Sequence, residues 1–287
     1  TIYNAVIHTM TEQGTIPHGF LEVENGKITC VQSGDPDTVT EGDLDAKGSL
    51  LLPGFIDAHT HLGILEDGLD FEGDDCNECT DPFTPHLRAI DGVNPLDRCF
   101  SEALAAGVTT VMTTPGSANP CGGTMLILKT AGNCVDDMKL TFGGIKFALG
   151  ENPKSVYHGR DEMPFTRMAT AAIIREGLYK AKRYLEQWEA VEEAEDKPDY
   201  DAKCEALLPL LRREYKAHFH CHRADDMMTA IRIAKEFHLD AVLVHGTEGH
   251  RIPDIIQRAG VPIICGPILC DRCKPELRDL EITTPNI

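Results

Sequence analysis

Basic residues are scarce in this 287-residue sequence, which has 27 Lys and Arg against 46 Asp and Glu. The formal net charge is -19 at pH 7. Nucleic acid and anionic membrane surfaces are therefore not expected as partners, because binding either one needs a basic surface. No apolar run approaches the ~20 residues that a membrane-spanning helix needs. We expect a small-molecule substrate as the partner, and the sequence leaves open whether the chain forms a homo-oligomer.

A disulfide framework and the common nucleotide and serine-hydrolase motifs are also missing. The cysteines number 11 and are scattered, whereas a secreted disulfide scaffold is shorter and more evenly spaced. We therefore expect reduced thiols and a cytoplasmic protein. Cys76 and Cys79 form a lone C-x-x-C without the second pair of a structural zinc site. There is no Gly-rich phosphate loop, G-x-S-x-G elbow or Rossmann fingerprint.

The sequence pattern changes near residue 52. Residues 1–52 contain short β segments, an Asn25-Gly26 hairpin signal and no helical period, which predicts part of a small β-sandwich. From 53 to 287, short apolar runs alternate with helical stretches, as in βα units around a parallel sheet. This length suits one α/β TIM-type (β/α)8 barrel, which takes ~250 residues. The predicted strands are 54–59, 108–114, 125–128, 144–149, 217–222, 241–245 and 262–265.

This set of strands is one short of an eight-stranded barrel. We therefore expect a C-terminally incomplete barrel that lacks its last strand. A long irregular stretch at 66–91, rich in Asp, Glu, Gly and Pro, follows the first predicted barrel strand. Loops of this length in that position are usually binding loops or lids.

The strongest chemical signal is a His-x-His after an apolar strand. Side chains alternate along a strand, so His59 and His61 lie on the same face. Active sites of TIM-type barrels lie at the C-terminal ends of the strands. Two neighbouring imidazoles there suit zinc or a similar metal ion.

Two later strands also end in histidines. His218, His220 and His222 alternate on one face of a predicted strand, and we choose His220 as the metal ligand because His218 lies deeper and His222 is near the loop. Packed or hydrogen-bonded histidines are the alternative. His245 ends another apolar strand and is followed by Gly, and as the third such strand end it strengthens the prediction of a metal site.

A lysine lies inside an apolar strand. Burial lowers the pKa of a lysine and leaves a neutral amine, which can take up carbon dioxide to form a carbamate. The carbamate of Lys146 could then bridge two metal ions, and Glu151 is a simpler alternative because it is already a carboxylate. A salt bridge or a side chain that reaches solvent is the structural alternative for Lys146.

Two arginines are candidates for substrate binding. Arg160 and Arg167 could each hold a substrate carboxylate. Surface salt bridging is the more common role of arginine.

The run PGFIDAHTHLG at 53–63 resembles the start of the barrel in the amidohydrolase superfamily of metal-dependent hydrolases. The segments GIKFALGENPK, KAHFHCHRADD and LVHGTEGH are similar to later strands of its imidazolonepropionase-related branch, which also contains prolidase-like and carboxypeptidase-like enzymes. The resemblance spans nearly the whole chain. The His-x-His start is quite specific, and the other segments are specific mostly in combination.

The resemblance implies a metal-binding role for each matching position. His59 and His61 would bind a first divalent metal ion, with zinc as the leading expectation. His220 and His245 would bind a second ion, and carbamylated Lys146 would bridge the two. If only one ion is bound, the histidines would share it.

The resemblance also implies an acid that this sequence does not supply in the expected context. Family members place an essential Asp, both metal ligand and proton shuttle, at the end of the eighth strand. Neither Asp271 nor Asp279 has that strand context. His222 is a candidate catalytic residue that would stabilise the oxyanion.

The implied activity is hydrolysis of a C–N bond, amide or cyclic amide, by metal-activated hydroxide. Two other enzymatic activities stay open: a prolidase-like dipeptidase or carboxypeptidase that reads a carboxylate with Arg160 or Arg167, and a ring deaminase. A third alternative is a non-catalytic amidohydrolase-like protein. The histidines retained at three strand ends argue against that alternative.

Overall fold

The structure is a computed structural model that describes residues 1–193, 195 and 197–267. Contacts divide the chain into two units, 1–55 and 56 onward. No helix in the described ranges is long and apolar enough to cross a membrane. The cysteines of these ranges form no disulfide bond with one another.

The first unit is a five-stranded sheet. Its strands are β1 (Ile2–His8), β2 (Thr15–Glu24), β3 (Lys27–Ser33), β4 (Leu44–Asp45) and β5 (Leu50–Leu51). The sheet order is β3-β2-β1-β4, and β5 also pairs with β1. Asn25 and Gly26 have positive φ angles of 52° and 74° between β2 and β3, which confirms the predicted hairpin. One sheet is present in the described part of this unit, so the sandwich stays a prediction.

The second unit contains a seven-stranded sheet and seven α-helices among the described residues. The strands are β6 (Phe55–Thr60), β7 (Val108–Thr113), β8 (Cys121–Lys129), β9 (Lys139–Ala148), β10 (Ala217–Cys221), β11 (Ala241–His245) and β12 (Ile263–Cys265). The helices are α1 (Arg98–Ala105), α2 (Val135–Met138), α3 (Glu151–His158), α4 (Arg167–Glu189), α5 (Ala202–Leu211), α6 (Ala224–Phe237) and α7 (Pro253–Ala259). Each predicted strand matches one of these, with the same ends at β11 and shifted ends elsewhere.

The order of the sheet follows the chain, from β6 to β12. Strands β9, β10, β11 and β12 are parallel neighbours, but β8 runs antiparallel to both β7 and β9. The prediction of an entirely parallel sheet was therefore wrong at β8. A parallel neighbour requires a crossover of about a dozen residues or more, and the segments 114–120 and 130–138 are too short to supply one.

The sheet curls towards a barrel. His59 on β6 and His245 on β11 have ring centroids 5.2 Å apart, although their strands are five steps apart in the sheet order. A flat sheet would separate such strands by about 24 Å, at ~4.8 Å per step. The described strands therefore form a nearly closed, TIM-like barrel. This sheet has no eighth strand within residues 1–193, 195 and 197–267. Asp271 and Asp279 lie outside the described residues.

Alternation along the strands separates the core from the barrel interior. On β9 and β10, Phe147 and Phe219 stack with ring centroids 5.0 Å apart and belong to the apolar core that the helices complete. Helix α4 contributes Ile174, Leu178 and Ala181 to this core at helical spacing. The intervening polar residues of the two strands point to the opposite face, because successive side chains alternate.

The long stretch after β6 is attached to β8. The Thr84 backbone N–H donates to the Cys121 carbonyl at 2.9 Å, and the Thr124 N–H donates to the Leu87 carbonyl at 2.8 Å. The Phe83 ring lies against Gly177 of α4, where an added Cβ would come within 1.9 Å of it. The second half of this stretch is therefore hydrogen-bonded to β8 and packed against α4.

Candidate metal centre

Histidines from neighbouring strands converge at the C-terminal ends of the parallel strands. His220, His222 and His245, hereafter the trio, offer ligand nitrogens that all lie within 4.8 Å of one another. The His222 and His245 rings are stacked with centroids 4.6 Å apart and planes 5° apart. The His220 ring lies 4.6 Å from that of His245 and 4.9 Å from that of His222. These three imidazoles could hold a metal ion.

The backbone at His245 explains how this ring joins the trio. His245 pairs in register with Cys221, so strict alternation would put its side chain on the face opposite His220 and His222. Its φ is +75°, in the left-handed region that a non-glycine residue rarely adopts. Such a conformation costs on the order of 1–3 kcal/mol and is concentrated at functional sites.

His59 and His61, hereafter the pair, lie beside the trio. Their ring centroids are 5.5 Å apart, and the His59 ring is 5.2 Å from that of His245. Both ring nitrogens of His59 are buried and have no hydrogen-bond partner among the described residues. Desolvation strongly lowers the pKa of His59, and Lys146 lowers it further. A buried, neutral imidazole of this kind can donate a nitrogen lone pair to a metal ion.

Backbone carbonyls fix the tautomer of two rings. His61 donates from Nδ1 to the Thr114 carbonyl at 2.7 Å, and His245 donates from Nδ1 to the Gly266 carbonyl. A carbonyl can only accept, so the proton of each ring is on Nδ1 and the lone pair is on Nε2. Metal-binding histidines in proteins almost always have such a partner on the second nitrogen.

Lys146 is completely buried next to the histidines. Its Nζ donates to the Pro115 carbonyl at 3.1 Å. Burial lowers the pKa of Lys146 to about 7, against 10.5 for an ordinary lysine. The amine is close enough to His59, His61 and Cys76 to affect the pKa of each. A fully buried lysine of lowered pKa rules out the solvent-reaching alternative.

His218 pairs in register with Lys146 on β10 and β9. It is 4% exposed, and its Nδ1 has no hydrogen-bond partner among the described residues. Desolvation first and Lys146 second lower the pKa of His218 to about 4. His218 is therefore a neutral interior histidine below the trio, in agreement with its deeper place in the strand.

The other candidates lie around this centre. Glu151 is the first residue of α3 and follows the end of β9. Arg160 is exposed in the turn after α3. Arg167 donates from Nε to both carboxylate oxygens of Asp226, at 3.0 and 3.1 Å. This ion pair is the structural role that the sequence had left open for Arg167.

The sequence did not reveal three neighbours of the site. Thr247 Oγ1 lies 2.8 Å from Nδ1 of His222. Cys76 is 5% exposed, and burial raises the pKa of its thiol to about 11 while Lys146 opposes the shift. The Pro115 carbonyl that accepts a hydrogen bond from Lys146 could not be predicted from the sequence either, because every residue has a backbone carbonyl. Thr247 follows His245 by two residues, but this spacing does not predict that its hydroxyl contacts His222.

Comparison with known proteins places these features in context. The family model described as "Amidohydrolase family" matches residues 50–265. A structure of an amidohydrolase from Thermotoga maritima superposes with a TM-score of 0.91 at 41% identity, covering 97% of this chain and 73% of that one. The amidohydrolase tasK of Hapsidospora irregularis is 30% identical over 84% of this chain. A 5-methylthioadenosine/S-adenosylhomocysteine deaminase of Bacillus thuringiensis is 45% identical over 22% of it.

The matched relatives are longer than the matching region. The match covers 27% of tasK and 15% of the deaminase.

Proposed function

The chain belongs to the amidohydrolase family, and from this premise we propose that it is a metal-dependent hydrolase that cleaves a C–N bond of an amide or cyclic amide. The observation that carries the proposal is the convergence of the pair and the trio beside a buried lysine at the strand ends. Active sites of TIM-type barrels lie at this end. The imidazolonepropionase-related branch stays a prediction.

The donor set fits one or two divalent ions. Imidazole nitrogens suit Zn, Mn, Fe or Co, and we propose zinc. The buried, unpartnered nitrogens of His59 support a ligand there, because leaving such a group unpaired costs about 1–3 kcal/mol. His59 and His61 would hold one ion, and His220 and His245 would hold the second.

When bound, such ions supply hydroxide near neutral pH and polarise the substrate carbonyl. The protein's own groups orient the reactants. The carbonyls of Thr114 and Gly266 hold the rings of His61 and His245 in the Nδ1–H tautomer. His222 lies within the trio, where it can either serve as a ligand or stabilise the oxyanion.

Lys146 is the proposed bridging group. Its neutral amine would attack carbon dioxide: an N–C bond would form as one C–O π bond opens, one proton would pass to water, and the carbamate would offer two oxygens to two ions. The pKa of about 7 makes the neutral amine a large fraction at physiological pH. Glu151 is the alternative bridge, and ¹³C NMR of protein equilibrated with ¹³C-bicarbonate distinguishes them, since only Lys146 would give a carbamate signal that K146M lacks.

A ring deaminase is the second candidate function. The similarity to a deaminase over 22% of this chain favours it. A prolidase-like activity that reads a carboxylate with Arg160 or Arg167 is less favoured, because Arg167 is engaged by Asp226. A panel of cyclic amides, N-acyl amides, dipeptides and aminopurines separates these activities.

Metal content per chain is the first test. The protein is purified without chelator and its metals are counted by elemental analysis. About two equivalents of a divalent metal support the bridged site, and about one supports a single site shared by the histidines. A chain that neither contains metal nor binds it when added contradicts the proposal and favours a non-catalytic amidohydrolase-like protein.

A further inference from the structure

We propose that Thr247 is a positioning residue, which holds the imidazole of His222 in the orientation that faces His220 and His245. This inference rests on the proposed function and takes the first of the two roles proposed there for His222, that of a metal ligand beside His220 and His245. Thr247 would touch neither the metal nor the substrate. Its hydroxyl forms a hydrogen bond with the ring of His222, with Oγ1 2.8 Å from Nδ1.

The loop after β11 holds the end of β10 by its main chain as well. The Gly246 N–H donates to the Cys221 carbonyl at 3.0 Å, and the Glu248 N–H donates to the His222 carbonyl at 2.9 Å. Glu248 is 7% exposed, and its carboxylate accepts from the Ala224 N–H at 3.0 Å at the start of α6. His222 is thus held at its carbonyl and at its ring by two consecutive residues of one loop.

The stacking in the trio shows why the ring orientation matters. The rings of His222 and His245 are nearly parallel, with planes 5° apart and centroids 4.6 Å apart. Rotation of the His222 ring would move its Nε2 away from the other two rings. The main-chain bonds hold the backbone of His222, whereas the Thr247 hydroxyl meets the ring itself, at Nδ1.

A hydroxyl differs from the carbonyls that hold His61 and His245. A carbonyl only accepts, so it admits the Nδ1–H tautomer alone, whereas a hydroxyl can donate to Nδ1 or accept from it. A metal ion on Nε2 requires the proton on Nδ1, and the hydroxyl can then accept a hydrogen bond from Nδ1–H without any movement of the ring. Unlike a backbone carbonyl, the hydroxyl at His222 can also be removed by a single substitution, so its role can be tested directly.

The test compares T247V, which keeps the shape and removes the hydroxyl, with T247S, which keeps the hydroxyl. T229V is the matched control, because Thr229 lies on α6 and its hydroxyl donates to the Asp225 carbonyl at 3.0 Å. Zinc affinity of each protein is measured by competition with a chromophoric chelator. The visible absorption spectrum of the cobalt-loaded protein reports the ligand arrangement independently of activity.

We expect T247V to bind zinc about 10- to 100-fold more weakly, the usual effect of removing an outer partner of a metal-binding histidine. Its cobalt spectrum should change, while T247S and T229V should resemble the original protein. Circular dichroism of the metal-free proteins checks the fold, and T247A replaces T247V if the latter does not fold.

Equal zinc affinity and identical cobalt spectra for T247V and T229V would overturn the role of Thr247 and leave the proposed function intact. Equal weakening in T247V and T247S would also overturn it, because the hydroxyl would then not be the relevant group. If the original protein binds no metal at all, the proposed function and this inference fail together.

Discussion

In the pair, His59 has two buried ring nitrogens without a hydrogen-bond partner in the described part of the chain. In the trio, residues that follow β11 and β12 form hydrogen bonds with Nδ1 of two rings: Thr247 with His222, and Gly266 with His245. His222 and His245 of the trio are thus oriented by hydrogen bonds, as is His61 of the pair, whereas the His59 ring has no such bond. We infer that these three rings are oriented before metal binding, whereas His59 gains its partner through binding.

The largest effect is expected at the residue that touches both groups. The His245 ring lies near His59 and stacks on His222. We expect H245A to lower kcat/KM by about 10⁴-fold or more, because without the ion the pKa of the attacking water is no longer lowered. Metal content should fall below that of the original protein.

Elemental analysis and kinetics on the best substrate of the panel measure this effect. H18A is the control, since His18 is exposed on β2 and pairs with Asp35 at 2.9 Å. Unchanged metal content in H245A would show that His245 is not a metal ligand.

Lys146 gives the next largest effect, on stability as a function of pH. The pKa of Lys146 is lowered to about 7 in the folded state, against 10.5 for an ordinary lysine. Between these values the unfolded state binds more protons, so the free energy of unfolding of metal-free protein should rise with pH, by up to about 1.4 kcal/mol per unit. Below pH 7 the contribution of this group no longer changes.

Denaturant unfolding of chelator-treated protein at several pH values, compared with K146M, isolates this contribution. K146M should lose the rise between pH 7 and 10.5. A parallel pH dependence in both proteins would mean that Lys146 keeps an ordinary pKa.

The Arg167–Asp226 ion pair should affect stability and leave substrate binding unchanged. The Asp226 side chain is 3% exposed and that of Arg167 is 28% exposed. R167M would leave a buried carboxylate without this cation, and we expect a loss of about 2 kcal/mol, reduced from the buried-pair range because Arg167 is partly exposed. Urea unfolding and KM are measured for R167M and, for comparison, for R160M. A raised KM without lost stability would restore Arg167 as a substrate-binding residue.

The smallest effects are expected on stability when each histidine of the pair is replaced. H59L removes two unpaired buried nitrogens and should stabilise the metal-free protein by about 1 kcal/mol. H61L removes the donor to the Thr114 carbonyl and should destabilise it by a similar amount. Both variants should bind less metal. If both lose stability equally, His59 has a partner that the contacts of the described residues do not reveal.

Much of the site could be predicted from the sequence because its signals are local. The alternation of polar and apolar residues predicts that His59 lies beside His61 and that His220 shares a face with His218. An apolar strand around Lys146 likewise predicts burial, and burial explains its lowered pKa. The family resemblance is confirmed by a family model that matches residues 50–265.

What the sequence by itself determined is therefore which residues form strands and which of their faces carry histidine and lysine. The reversal of β8, the left-handed backbone of His245 and the contact of Thr247 with His222 were decided only by the tertiary structure. The contact of Thr247 with His222 joins the ends of two strands, and the direction of β8 follows from the short connections on either side of it, so the side-chain periodicity of a single strand predicts neither. Side-chain periodicity, by contrast, is a property of the backbone of a single strand and can be read within a few residues.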